Sequence, residues 1–169
     1  MAFGKTFLLS LVTLVGLTFG GWILVLALDG SIAQIGTYLS TLPGIASAFF
    51  FPNFLFPYPG DVYNGLLAII FTGTLTAASL TLIIFLIAAP LLAAIVAGIV
   101  GENRNEVFFG WFLAAAVSMG IALTLIIIGF MTTYGGILPE LIVQFIVGAA
   151  TQALVYGCIG LLVARYDSF

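Results

Sequence analysis

Residues 62–101, VYNGLLAIIFTGTLTAASLTLIIFLIAAPLLAAIVAGIVG, run for 40 positions without one Asp, Glu, Lys or Arg. A bilayer presents a hydrocarbon core about 30 Å thick, which a helix of roughly 20 apolar residues crosses. One continuous helix over 62–100 would be about 58 Å long at 1.5 Å per residue. Some part of the stretch must therefore tilt, kink or leave the bilayer. Pro90, after Ala88-Ala89, is the natural break, because proline lacks an N–H and clashes with the preceding turn. The expected span is 62–89, with a kink at Pro90 and an extension over 90–100 at the membrane boundary.

The rest of the chain has the same character. Of its 169 residues, 63% are hydrophobic and 5% charged, with a mean hydropathy of +1.36, whereas a soluble domain carries about 25% charged residues. Nine charged side chains (3 Lys+Arg and 6 Asp+Glu) cannot solvate the surface of a globular protein, so the composition asks for an apolar solvent. With no His and a single cysteine, Cys158, the chain lacks ligands for a zinc site, an Fe–S cluster or bis-histidine haem. No cofactor is expected, and with no basic patch, no nucleic-acid partner.

Gaps between charges mark the other spans, because a charge is costly at the bilayer centre. Residues 6–28 lie between Lys5 and Asp29, 107–139 between Glu106 and Glu140, and 141–164 between Glu140 and Arg165. Helix-end chemistry sets the last two at 106–131 and 139–164: Asn105 is expected to cap the third, and Pro139 to open the fourth. Four spans put Lys5, Arg104 and Arg165 on one side, opposite Asp29, Asp61 and Glu140. The positive-inside rule then makes both termini cytoplasmic. The run after Lys5 is too long for the h-region of a signal peptide and reads as a retained first helix.

A fifth charge-poor stretch, 30–60, contains Pro43, Pro52, Pro57 and Pro59 and reads as an outer loop over 29–61. Within it Ile32, Ile35, Leu39 and Leu42 have the spacing of a short amphipathic helix lying at the interface. Phe49, Phe50, Phe51, Phe54, Phe56 and Tyr58, interleaved with prolines, are expected to be extended or turned. Three roles are open to them: an aromatic belt at the outer interface, a docking surface for a partner subunit, or a re-entrant loop.

Inside the spans no ionisable group is required, which argues against a proton relay through this chain. The hydroxyls of Thr72, Thr74, Thr76 and Ser79 are expected to bond to carbonyls of their own helix. On the fourth helix Gln144, Gly148, Thr151, Val155 and Cys158 share one face, and Ala149, Ala153, Tyr156 and Gly160 another. Gln144 and Gln152 read as cross-helix contacts, with Gly148 and Ala153 admitting a close neighbour. Gly16 and Gly20 form a GxxxG motif, with bundle packing or dimerisation as its meaning. No His is present to build a Ser-His or Cys-His pair, so an enzyme is not expected.

These residues imply an all-α integral protein of the cell membrane. Its single membrane domain is a bundle of four transmembrane helices, with an interfacial helix and an aromatic, proline-rich segment between the first two. The expected role is a non-catalytic accessory or scaffold subunit that contacts other membrane subunits and lipids. The alternative is a homo-oligomeric channel or carrier for a neutral or lipophilic solute.

Overall fold

The computed structural model describes residues 2–55, 59–130 and 138–164. The described chain is helical throughout, with no strand among those residues. In order come α1 (Ala2–Leu28), a 3-10 turn (Ile32–Gln34), α2 (Ile35–Leu39), α3 (Leu42–Leu55), α4 (Pro59–Thr72), α5 (Ala77–Val100), α6 (Arg104–Phe130) and α7 (Leu138–Val163). Four of them, α1, α5, α6 and α7, are long and apolar enough to cross a membrane.

The ends of these helices follow local chemistry. α1 stops in a Schellman arrangement: Ser31 N–H donates to the Leu26 carbonyl and Gly30 N–H to that of Ala27, with Gly30 at φ +71°, a conformation glycine adopts without a steric penalty. α6 is capped by Asn103, not by Asn105. The Asn103 side chain accepts from Glu106 N–H at 3.0 Å, and the Glu106 carboxylate reaches back to Glu102 N–H at 3.1 Å. Helix geometry selects Asn103 because a cap serves the amide three residues on, and Glu106 stands at that position.

The largest correction concerns the long uncharged stretch. The helix breaks at Gly73–Thr76, not at Pro90, so the expected span over 62–89 divides between α4 and α5. Gly73 turns the chain at φ +68°. Thr76 then takes an extended conformation and caps α5 in a reciprocal box, accepting from Ser79 N–H at 3.1 Å while its own N–H donates to Ser79 Oγ at 2.9 Å. Thr76 and Ser79 thus terminate a helix instead of decorating one. Pro90 stays buried inside an unbroken α5, where its missing N–H forfeits one backbone bond while the flanking turns continue.

The proline-rich segment is also more regular than expected. α3 is helical from Leu42 to Leu55, through the Phe49–Phe51 run. Pro43 falls in its first turn, where no intrahelical donor is needed, and Pro52 in its last, while Pro59 opens α4. The amphipathic helix read over 32–42 is shorter than its pattern: the 3-10 turn and five-residue α2 cover 32–39, and Leu42 belongs to α3.

Of the long helices, α1 packs on α5 and α6, and α7 packs on α6 and α5. α3 sits against α6 and α1, and α4 against α5. The main core gathers Leu14, Ala89, Ala93, Ala94, Ala97, Val107, Trp111, Ala115 and Tyr156. Alanine dominates this list because small side chains let helix axes approach.

Two substitutions test the break. Thr76→Ala removes the cap and is expected to cost about 1 kcal/mol, and Gly73→Ala forces a side chain into the left-handed region at about 1–2 kcal/mol. Unfolding titrations in detergent measure both; no loss for either would place the break elsewhere.

Candidate contact surfaces and the polar interior

α5 and α7 approach each other closely enough to bring backbone against backbone. A Cβ built on Gly98 would collide with the Gly160 carbonyl oxygen, and one on Gly160 would lie 2.8 Å from the Ala94 carbonyl oxygen. Gly21 meets the Phe85 ring in the same way, Gly110 lies against Thr6, and Gly157 against Phe108 and Trp111. These glycines fix the spacing between helices because a neighbour stands where a side chain would be.

Gly16 and Gly20 behave differently. Both are exposed, and a Cβ on either would meet nothing within 4 Å. Of the two meanings open to the motif, bundle packing finds no support among the described residues: the buried stripe of α1 includes Thr6, Ser10, Leu14 and Thr18, spaced by four, and Gly21 is the α1 glycine packed against a neighbouring helix. At 100° per residue Gly16 and Gly20 fall on the far side of the helix from that stripe.

On α7 the stripe carrying Ala149, Ala153, Tyr156 and Gly160 is buried. Gln152 and Gly148 are buried too, while Gln144 is half-exposed and Val155 and Cys158 face outward. The face grouped with Gln144 thus points mostly away from the bundle. Gln144 borders a shallow open depression with Pro139, Glu140 and Val143. Gln152 lies deep: its backbone carbonyl accepts a 3.3 Å hydrogen bond from the Trp111 indole N–H. Trp111 is fully buried and meets Tyr156 edge-on at a centroid distance of 6.2 Å.

The aromatic segment packs inward. Phe49 stacks on Phe19 at 4.4 Å between centroids, with the rings 10° from parallel, and Trp22 meets Tyr38 edge-on at 5.9 Å. Phe50 is buried with Ala122 and is flanked by Val15, Leu123 and Leu125. An outward contact surface at Phe49 and Phe50 is therefore corrected to an interior seam joining α3 to α1 and α6, since a helical α3 can turn these rings onto its neighbours. Phe51 and Phe54 belong to α3, but their side chains lie outside the described residues, as do Phe56, Tyr58 and Arg165 altogether. Lys5 and Arg104 are exposed.

Hydroxyls inside the long helices mostly bond to their own backbone: Thr18 to the Leu14 carbonyl, Thr124 to that of Gly120 and Thr151 to that of Val147, each at 2.8 Å. The sequence reading missed Trp111 and the Thr6–Ser10–Leu14–Thr18 stripe. Their signal was a row of small and polar residues every fourth position on α1, facing the Gly110-Trp111 pair.

Compared with protein-family models, curated proteins and solved structures, the chain matches none.

Gly160→Val is expected to lower stability in detergent by about 1–3 kcal/mol through overpacking, whereas Gly16→Ala and Gly20→Ala leave the isolated chain's stability unchanged or slightly raised. Phe50→Ala should cost roughly 3 kcal/mol. Thermal unfolding of the four variants checks the ranking, and equal losses at Gly16 and Gly160 would refute it.

Proposed function

We propose that the chain is an integral protein of the cell membrane with four spans, α1, α5, α6 and α7, and both termini in the cytoplasm. It serves as a non-catalytic subunit or scaffold in a larger membrane assembly. The observation that carries this reading is the open face of α1. Glycine inside a helix costs about 1 kcal/mol relative to alanine, and close packing offsets that cost at Gly21, Gly98, Gly110, Gly157 and Gly160. Among the described residues nothing stands within 4 Å of a Cβ built on Gly16 or Gly20. Val12, also outward and 66% exposed, continues the same smooth face. A helix of another membrane subunit could approach there as closely as α5 approaches α7.

In this reading Lys5 and Arg104 lie on the cytoplasmic side, and α3 and α4 enter the bilayer from the other side as a re-entrant pair. The side-by-side packing of Tyr38 on Trp22 and of Phe49 on Phe19 supports such a descent along α1. α4, at 14 residues, is about 21 Å long and too short to cross.

That pair favours a second reading, a homo-oligomeric channel or carrier for a neutral or lipophilic solute. Half-length helices at membrane depth are tolerated where protein or a water-filled cavity covers their ends.

The test is gentle extraction from the native membrane, native mass measurement, and identification of accompanying chains. Stoichiometric unrelated chains are expected, and Gly16→Leu with Gly20→Leu should release them without altering the unfolding of the isolated chain. A homo-oligomer, with solute flux in liposomes containing this chain alone, would replace the subunit reading with the second one.

A further inference from the structure

α4 turns back along α5. A short connection over residues 73–76 joins the two helices, and Val62, near the start of α4, shares a cluster with Ile83 and Leu86, well inside α5. Among the described elements α4 packs extensively on α5 alone. At 100° per residue Val62, Leu66 and Ile69 form one stripe of α4, and all three belong to that cluster or pack against it. Asn64, Ala68 and Phe71 form the opposite stripe at i, i+4 and i+7. All three are exposed, Phe71 at 83%.

Asn64 stands at hydrocarbon depth. It precedes Thr72, the last residue of α4, by about 12 Å at 1.5 Å per residue. α5 has 24 residues, about 36 Å, so a span through a core about 30 Å thick puts the α4–α5 turn close to its outer edge. The Asn64 amide therefore faces outward on the order of 10 Å inside the core, where a polar group without hydrogen bonds is costly. Among the described residues it has no hydrogen-bond partner.

We propose that the outward stripe of α4 is the interface between two copies of this chain, paired about a twofold axis along the membrane normal, with the two Asn64 amides bonded to each other. The inference rests on the re-entrant placement of α4 proposed above and not on what covers α1. Depth selects the occupant. Two copies inserted in one orientation and related by such an axis present each interface residue to itself at a single level. An amide is its own complement, because its oxygen accepts what its NH2 group donates. A second copy thus supplies the polar partner at the level where it is needed, whereas an unrelated helix would have to carry a polar group of its own there. Ala68, one turn from Asn64, lets the two helices approach closely.

The experiment uses the full chain with Cys158→Ser and Phe71→Cys, reconstituted in liposomes and oxidised with a copper catalyst and air. A disulfide-linked dimer is expected, and none when the cysteine is placed instead at Leu162, which is 85% exposed on α7. Adding Asn64→Leu should weaken dimerisation about tenfold, read from the cross-linked fraction over a series of protein-to-lipid ratios, and Asn64→Gln, which keeps the amide, should weaken it less. Asn64 is exposed, so Asn64→Leu leaves the unfolding of the monomer unchanged and loss of pairing is distinguished from loss of fold. Equal cross-linking at Leu162→Cys, no effect of Asn64→Leu, or a Phe71→Cys adduct in native membranes to an unrelated chain each overturns the pairing. Alkaline extraction reports separately on insertion: an inserted chain that does not cross-link overturns this proposal alone, and a chain released by alkali overturns the membrane reading with it.

Discussion

The backbone contact of Gly98 with Gly160 is the constraint on which the rest of the bundle depends. In lipid, helices gain little from burying apolar side chains against one another, since the solvent is equally apolar; association comes from close van der Waals contact and from polar groups bonded across the interface. With α5 and α7 this near, the residues between them must be small. Ala94, whose carbonyl oxygen lies 2.8 Å from a Cβ built on Gly160, meets that requirement. Trp111 is the large exception, admitted because Gly157 leaves room beside it and because its N–H finds the Gln152 carbonyl. Enlarging either glycine would separate the helices and loosen the fit around the indole.

The four long helices were legible in the sequence because charge is so costly in hydrocarbon that its gaps amount to a ruler. The ruler locates spans but not the breaks inside a gap. Over 62–101 the length argument correctly demanded a break, and the strongest single breaker, Pro90, was the wrong choice. A proline in mid-helix withholds one N–H while the turns on either side persist. Gly73 redirects the backbone itself, and Thr76 with Ser79 restarts it. The pattern Gly-x-x-Thr-x-x-Ser carried that information, obscured by reading each hydroxyl as a decoration on a continuous helix.

Surface assignments were less legible, because in a uniformly apolar chain hydropathy no longer distinguishes inside from outside. For that reason hydropathy left the Phe49 and Phe50 rings with three open roles and the Gly16 and Gly20 pair with two. What sorts them is volume: Phe50 fills a space beside Ala122, whereas no described residue comes within 4 Å of a Cβ built on Gly16. The buried face of α1 follows a spacing of four in small and polar residues, a weaker cue than hydropathy and the one that held.

The Schellman stop at Gly30 and the capping box at Thr76 both complete their hydrogen bonds locally, so neither α1 nor α5 relies on residues 32–72 to finish its end. Since α1 and α5 also pack directly on each other, the intervening segment has the standing of an insert between two self-sufficient helices. During synthesis α1 could wait for α5 and pair with it whether or not α3 and α4 had settled.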